Sequence, residues 1–197
     1  KRPAPTKGPI RRGLGVATGC FVAGTIGFDG LFVITPEGKL RIHTGVGNLG
    51  TESFSDVQRV VADAMDVPWE DCEILWGDTG KHLGWSCVSG GSQTIHAMTR
   101  AGFAASLDAK RKLREIAAQT LGGHPEDYTV GGGRVFRDDT GQGLSFSAAA
   151  KRAMALGGAY DGHECPNDVH RLTKASLAAL AGPGLVAVAK DTFPREG

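Results

Sequence analysis

The sequence lacks any apolar run long enough to cross a bilayer, and its first residues show no signal-peptide pattern. It also lacks net charge, because 22 Lys and Arg nearly balance 21 Asp and Glu to leave a formal charge of +1. Bulk electrostatics therefore favours neither nucleic acid nor a membrane surface as a partner. The basic, proline-punctuated start KRPAPTKGPIRR is interpreted as an extended arm over residues 1–12.

Cysteine is scarce and scattered, and no C-x-x-C pair occurs. We therefore expect no zinc or iron–sulfur site held by this chain alone, and the pattern is typical of a reduced, cytoplasmic protein. His163, Glu164 and Cys165 with His170 match no standard metal-site spacing, which favours an ordinary loop. The four cysteines are Cys20, Cys72, Cys87 and Cys165.

Hydrophobic periodicity predicts the elements of the first half of the chain. The run at 14–22 fits a buried strand, and 31–45 predicts a hairpin because apolar residues alternate on both sides of a Pro-Glu-Gly turn. A spacing near 3.6 predicts a helix over 53–65, with Ser53 and Asp56 as a capping box. A strand is expected at 72–76.

Hydrophobic patterns also predict the elements of the second half of the chain. We expect a helix over 93–121, with Ile95 on its buried side and a solvated stretch at 108–115. A hairpin at 128–138 and a helix at 144–156 follow, then an irregular segment, a helical turn and a last strand. This order predicts an α/β (α+β) fold, a mixed sheet with helices packed on it. The last strand is close to the chain end, so we expect a partner chain to complete its sheet.

Glycine is abundant, 30 of 197 residues, and two glycine-rich loops stand immediately before helices. They are GVGNLGTES at 45–53 and GGSQT at 90–94. Glycines let the backbone approach a ligand, and the first turn of a helix offers unpaired N–H groups, so such loops can hold an anion or a polar ring. Plain helix caps remain an alternative. A dinucleotide fold is disfavoured, because a hairpin precedes the loop and the acidic residues of DVPWED come before the next strand.

Three segments together resemble the molybdopterin-binding large subunit of the xanthine dehydrogenase and aldehyde oxidoreductase family, the molybdenum hydroxylases. They are IHTGVGNLGTES at 42–53, MDVPWEDCEILWGDT at 65–79 and GGSQTIHAMTRAGFAA at 90–105, in the family's order and spacing. The resemblance implies a cofactor-binding-like domain over 13–160. It leaves 161–197 as an irregular segment and a terminal strand, and makes the chain a central fragment or split subunit.

The same resemblance implies that both loops contact molybdopterin. It does not decide whether the cofactor is the cytosine dinucleotide form. No catalytic residue and no metal ligand is assigned to this chain. Iron–sulfur clusters and FAD are expected only on partner subunits, beside other fragments of the molybdenum subunit and a small-molecule substrate. The implied cofactor-binding residues are Gly47, Gly50, Thr51, Glu52, Ser53, Gly91, Ser92, Gln93 and Thr94.

The chain departs from the family at two points. Thr51 and Glu52 replace the usual Gln-Gly, and the family's catalytic glutamate segment has no counterpart around Glu196. The implied function is cofactor binding in a multi-subunit hydroxylase acting on an aldehyde, an N-heterocycle or another electron-poor carbon. The alternatives are a non-catalytic assembly subunit, hydratase-type chemistry on a retained cofactor, and a nucleotide-binding module.

Overall fold

The computed structural model describes residues 8–10, 13–20 and 27–191. Two strands form the predicted hairpin: β1 (Asp29–Ile34) and β2 (Leu40–His43). They pair antiparallel, with Phe32 opposite Ile42. The turn residue Gly38 has a φ of 88°, which glycine adopts without steric cost.

Helix α1 (Ser53–Met65) follows the hairpin, and β3 (Cys72–Leu75) then pairs parallel with β2. Helix α1 has the predicted bounds, and β3 begins at the predicted residue. The predicted capping box is wrong: the N-cap is Glu52, in a left-handed conformation, and no side chain caps the helix. The local pattern misplaced the cap because the backbone enters α1 through a left-handed residue, which a pattern of residue types does not reveal.

The long helix α2 (Thr94–Leu121) crosses one face of the sheet. Two details of its predicted faces are wrong. Ile95 is 44% exposed, and Lys112, in the stretch expected to be solvated, is only 3% exposed. Burial of Lys112 is compensated because its Nζ donates to Val186 O and pairs with Asp108 Oδ2, both at 2.8 Å.

A second, smaller sheet contains β4 (Tyr128–Gly131), β5 (Arg134–Arg137) and β6 (Gly143–Ser145) in an antiparallel meander. The hairpin β4–β5 confirms the prediction at 128–138. The short strand β6 was not predicted, because three residues are too few to show a period-two alternation. Helix α3 (Phe146–Leu156) begins directly after it, and the Ser145 hydroxyl accepts the N–H of Ala148 as an N-cap.

The chain ends with α4 (Arg171–Leu180) and β7 (Leu185–Lys190). Helix α4 begins four residues before the expected helical turn at 175, because the Nδ1 of His170 accepts the N–H of Leu172 and serves as an N-cap. Strand β7 pairs antiparallel with β1 and gives the main sheet the order β3-β2-β1-β7. Completion of this edge by a partner chain, and the division into segments 1–12, 13–160 and 161–197, stay predictions.

The side chains on the two faces of β1 and β7 belong to two separate hydrophobic cores. Phe32 and Ile34 join the large core under α1, α2 and α3, while Leu31 and Val33 join a smaller one under α4. Period-two alternation thus buries both faces of β1.

The predicted buried strand at 14–22 is wrong in its described part. Residues 13–20 have no regular structure, and Leu14 and Val16 are 72% and 86% exposed. Small residues and glycines at 15–19 form an apolar run that, in the described part of the chain, has no strand partner. Residues 21 and 22 lie outside the described ranges. No helix of the described residues is long and apolar enough to cross a membrane.

Candidate cofactor-binding pocket

The first glycine loop is shaped by the side chain of Asn48. Its Oδ1 accepts the N–H of Gly50 at 2.8 Å and the N–H of Glu52 at 3.3 Å. The backbone turns through Gly50 at a φ of 86° and Glu52 at a φ of 51°. Two of the backbone donors expected to face a ligand are therefore already satisfied within the loop, and the side chains must supply most of its polarity.

The polar side chains of this loop converge at the start of α1. Thr51 Oγ1 and Ser53 Oγ lie 2.8 Å apart, within hydrogen-bond distance. Ser53 is buried, and the next residue, Phe54, stacks on Trp76 at the end of β3 with ring centroids 4.3 Å apart. This stack fixes the first turn of α1 against the sheet and so fixes the hydroxyl pair.

The second glycine loop has a similar backbone. Gly91 has a φ of 61° and Ser92 a φ of 54°, so this loop also places a left-handed, non-glycine residue shortly before a helix. Gln93 does not extend outward. It is 2% exposed, and its Nε2 donates to Val88 O at 2.9 Å, which holds the loop from inside.

The stems of the two loops are joined at His43. Its Nδ1 donates to Lys81 O at 3.0 Å, and its carbonyl accepts the N–H of Gly84. Burial lowers the pKa of His43, so the imidazole is neutral in the fold and its Nδ1 carries the proton that Lys81 O accepts. The Nε2 of His43 is buried and has no hydrogen-bond partner in the described part of the chain.

The two loops meet around one pocket of about 300 Å³. They meet because β2 and β3 are adjacent and parallel, so the loops after them leave the same edge of the sheet. The predicted residues Thr51, Ser53, Ser92 and Thr94 line it. Its other lining residues, absent from the predicted set, are Leu49, Ser89, Gly90 and Ile95.

The other predicted residues support the loops but do not line this pocket. They are Gly47, Gly50, Glu52, Gly91 and Gln93. Sequence reasoning missed Asn48, although an Asn two residues before a glycine is typical of a side-chain-stabilised turn. It missed Leu49 and Ile95 because apolar residues on a polar loop or at a helix start are usually assigned to the core.

The chemistry of the pocket is that of neutral donors. Its described lining combines hydroxyl groups with apolar contacts from Leu49 and Ile95, and it contains no Lys, Arg, Asp or Glu. The first turns of α1 and α2 add partial positive charge. Such a lining can bind and orient an oxygen- and nitrogen-rich ring, but it offers no base or thiolate for catalysis.

The histidine and cysteine cluster weighed as a metal site is not assembled as one. His163 pairs with Asp161 at 2.8 Å, whereas His170 stacks on Trp85 with ring centroids 4.3 Å apart. Within the described ranges no group of three or more His, Cys, Asp or Glu side chains could hold a metal ion.

A family model described as "Molybdopterin cofactor-binding domain" matches residues 1–182. Among curated proteins, the chain is 28% identical over 102 residues to the aldehyde oxidoreductase molybdenum-binding subunit PaoC of Escherichia coli O157:H7. That alignment covers 52% of this chain and 13% of the relative. The chain therefore spans only a small part of its relative's length.

Two solved structures show the same fold. The Cu,Mo-CO dehydrogenase in its carbon monoxide reduced state aligns at a TM-score of 0.63 and 19% identity, over 86% of this chain and 19% of that one. Quinoline 2-oxidoreductase from Pseudomonas putida 86 aligns at 0.56 and 17%, over 85% and 19% of the two chains. The predicted mixed α/β fold is confirmed.

Proposed function

The chain belongs to the molybdopterin cofactor-binding domain family, and on that premise we propose that it binds molybdopterin between its two glycine loops. The observation that carries the proposal is the pocket in which Thr51 and Ser53 of one loop face Ser92 and Thr94 of the other. Two segments about forty residues apart in sequence converge there only because the parallel pair β2–β3 ends at one edge.

The residues present fit part of such a group. Hydroxyls hydrogen-bond ring nitrogens and oxygens in either direction, so Thr51, Ser53, Ser92 and Thr94 can match a pterin edge without carrying charge. Leu49 and Ile95 would supply apolar contacts to such a ring, and the first turns of α1 and α2 would favour negatively charged oxygens. When bound, the molybdenum–pterin group supplies the redox chemistry, and this chain binds and orients it.

We further propose that the chain works within a multi-subunit molybdenum hydroxylase-type oxidoreductase in the cytoplasm. It is similar to a protein described as a molybdenum-binding subunit of an aldehyde oxidoreductase, which supports an aldehyde or another electron-poor carbon as substrate. The pocket contains no carboxylate among its described lining residues, so the catalytic base would come from outside this pocket lining. Iron–sulfur and FAD groups would belong to partners. All four cysteines are free thiols, in keeping with a reducing compartment.

Molybdenum and pterin content of the native complex tests the proposal. We expect molybdenum, pterin and this chain to be present in equimolar amounts. Thr51→Val removes one hydroxyl while keeping the shape, and should lower pterin retention about fivefold, the equivalent of one neutral hydrogen bond. Thr120→Val, at the far end of α2, is the matched control and should leave retention unchanged. A complex without metal or pterin would refute the proposal.

The second candidate is a non-catalytic assembly subunit, and the sequence at Thr51-Glu52 favours it. The family's Gln-Gly would place a longer amide and a glycine there, whereas Glu52 adopts a left-handed backbone that suits glycine. A Thr51→Gln/Glu52→Gly variant separates the two functions. If the pocket holds cofactor, the substitution should change cofactor content or activity; if neither changes, the loop is a scaffold.

A further inference from the structure

Strand β7 lies at an edge of the main sheet, and its outward-facing backbone groups decide whether another strand can pair there. The N–H of Asp191 donates to Phe28 O, so the backbone of Asp191 faces β1. Because successive residues of a strand point their backbone groups to opposite sides, Val186 and Val188 face away from β1. Left open, such groups are a template for strand addition from another chain.

Two side chains of α2 occupy these outward groups. Lys112 Nζ donates to Val186 O at 2.8 Å. Asp108 Oδ2 accepts the N–H of Val188 at 3.1 Å. The two side chains also pair with each other at 2.8 Å, and Asp108 Oδ1 accepts from Arg111 at 2.7 Å. One pair of residues four positions apart on the helix therefore takes a carbonyl and an amide that a neighbouring strand would use.

The loop between α3 and α4 takes a third outward group. The carbonyl of Tyr160 accepts the N–H of Val186 at 2.9 Å. The Tyr160 hydroxyl donates to Glu115 Oε2 at 3.1 Å and accepts from Gln119 Nε2 at 3.0 Å, which anchors this loop to α2. Three consecutive outward groups of β7 are thus engaged within the chain. Beyond them, the exposed side chain of Lys190 places a charge on the edge, a common protection against strand pairing.

The other edge of the sheet is capped in the same manner at Cys72, the first residue of β3. The N–H of Thr44 donates to Leu75 O, so Leu75 faces β2. Cys72, three positions earlier, therefore faces outward. Its N–H donates to Trp69 O, and its C=O accepts from Gln58 Nε2 at 2.6 Å. Capping by groups of the same chain thus recurs at both edges.

Packing alone does not explain the Asp108–Lys112 pair. Lys112 is buried, and long apolar side chains at the two positions would bury as much surface without the cost of desolvating two charges. The pair supplies what apolar residues cannot, one acceptor and one donor placed side by side along an edge strand.

We propose that the Asp108–Lys112 pair closes the outer edge of β7 against strand addition, so that no partner polypeptide extends the main sheet there. Replacing the pair by apolar residues opens the edge, and a second copy of the chain then pairs with it through β7. The proposal excludes completion of the sheet at β7 by a partner strand, which the position of β7 near the chain end suggested. It does not depend on the cofactor pocket.

The double variant Asp108→Leu/Lys112→Met, introduced in the full chain, tests the closed edge. It removes both capping groups together, so neither charge is left buried alone. Two hydrogen-bonding groups are freed, so in sedimentation velocity it should self-associate at concentrations at least about tenfold below those of the parent. The control Asp63→Leu/Lys110→Met makes the same replacements on exposed α1 and on another side of α2, and should behave as the parent does.

Hydrogen exchange of the ¹⁵N-labelled chain distinguishes strand pairing from apolar adhesion. In dilute samples of the double variant the Val188 N–H should lose protection about fivefold, the equivalent of one neutral hydrogen bond. It should regain protection as the copies associate. Self-association that leaves Val188 unprotected, or a loss of stability with no self-association beyond the parent's, would overturn the proposal. A partner strand hydrogen-bonded to Val186 and Val188 in the native complex would do the same.

The single variant Lys112→Met covers a folding failure of the double variant. Asp108 keeps its bonds to Arg111 and to the N–H of Val188, so only Val186 O is opened. Self-association should then begin at a concentration about threefold below the parent's. Association equal to the parent's in every folded variant would refute the closed edge.

Discussion

The side-chain oxygen of Asn48 accepts the backbone N–H of Gly50 at 2.8 Å, and this bond holds the first glycine loop in shape. The same oxygen accepts a second N–H, that of Glu52. One carboxamide therefore satisfies donors that would otherwise need water or a ligand. The loop is preformed by its own sequence, and the cofactor need not fold it.

Asn48→Ala should loosen this loop. Two neutral hydrogen bonds are lost, each contributing about 1 kcal/mol, so the opening free energy of the loop should fall by up to about 2 kcal/mol. Hydrogen exchange at Gly50 and Glu52 measures it. Asn48→Asp keeps an acceptor oxygen and should preserve protection; equal exchange in both variants and the parent would show that Asn48 does not shape the loop.

Glu52→Gly should stabilise the loop or leave it unchanged. A left-handed residue other than glycine costs about 1 kcal/mol or more, and glycine removes that cost while adding flexibility to the unfolded chain. Glu52→Gln keeps the strain and removes a negative charge beside the start of α1, so it should be slightly less stable than the parent. Urea unfolding of the three proteins gives the order, and a marked loss of stability in Glu52→Gly would contradict the role of backbone strain.

Gly30→Ala should be strongly destabilising. A Cβ there would lie 2.0 Å from Ala101 O in α2, a backbone atom that cannot move aside. The sheet and α2 would have to separate, at a cost of about 3 kcal/mol or more. Thermal unfolding measures the change. Gly15→Ala, where nothing lies within 4 Å of the added carbon, is the control and should melt as the parent does.

His43 should make the fold acid-sensitive. Burial lowers its pKa below the ordinary value of 6.5, so the folded state resists protonation while the unfolded chain accepts a proton. Stability is therefore complete above about pH 7 and is lost as the pH falls below the unfolded pKa of about 6.5. His43→Asn, which can still donate to Lys81 O, should flatten this dependence between about pH 5 and 7.5.

The exposed imidazole of His82 supplies the comparison for that experiment. Asn tolerates the left-handed backbone at this position, so His82→Asn should fold normally and controls for a His-to-Asn exchange as such. Unfolding free energies from urea titrations at each pH provide the test. A His43→Asn variant with an unchanged acid response would assign the sensitivity to other groups.

Much of the fold could be predicted because local signals and tertiary structure agree. Alternation around the turn at Gly38 predicted β1 and β2, and the 3.6 spacing predicted α1 and α2 to within a residue. The sequence patterns failed at positions where tertiary contacts determine whether a side chain is buried. Lys112 is buried beside Val186 O, a partner 74 residues away that the helical pattern of the sequence cannot show.

The site was predictable in its position and less so in its details. The glycines before two helices, in the family's order, predicted Thr51, Ser53, Ser92 and Thr94 as part of one site. In the structure these four residues line one pocket. The side chain of Gln93 turns inward to Val88, a direction that residue type cannot reveal. Their contact with a cofactor stays a prediction.

A structure of the cofactor-loaded native complex tests the central proposal most directly. We predict pterin density between the two glycine loops, within hydrogen-bond distance of the Thr51–Ser53 hydroxyl pair on one side and of Ser92 or Thr94 on the other. Pterin density elsewhere in the complex, with this pocket filled only by solvent, would contradict it.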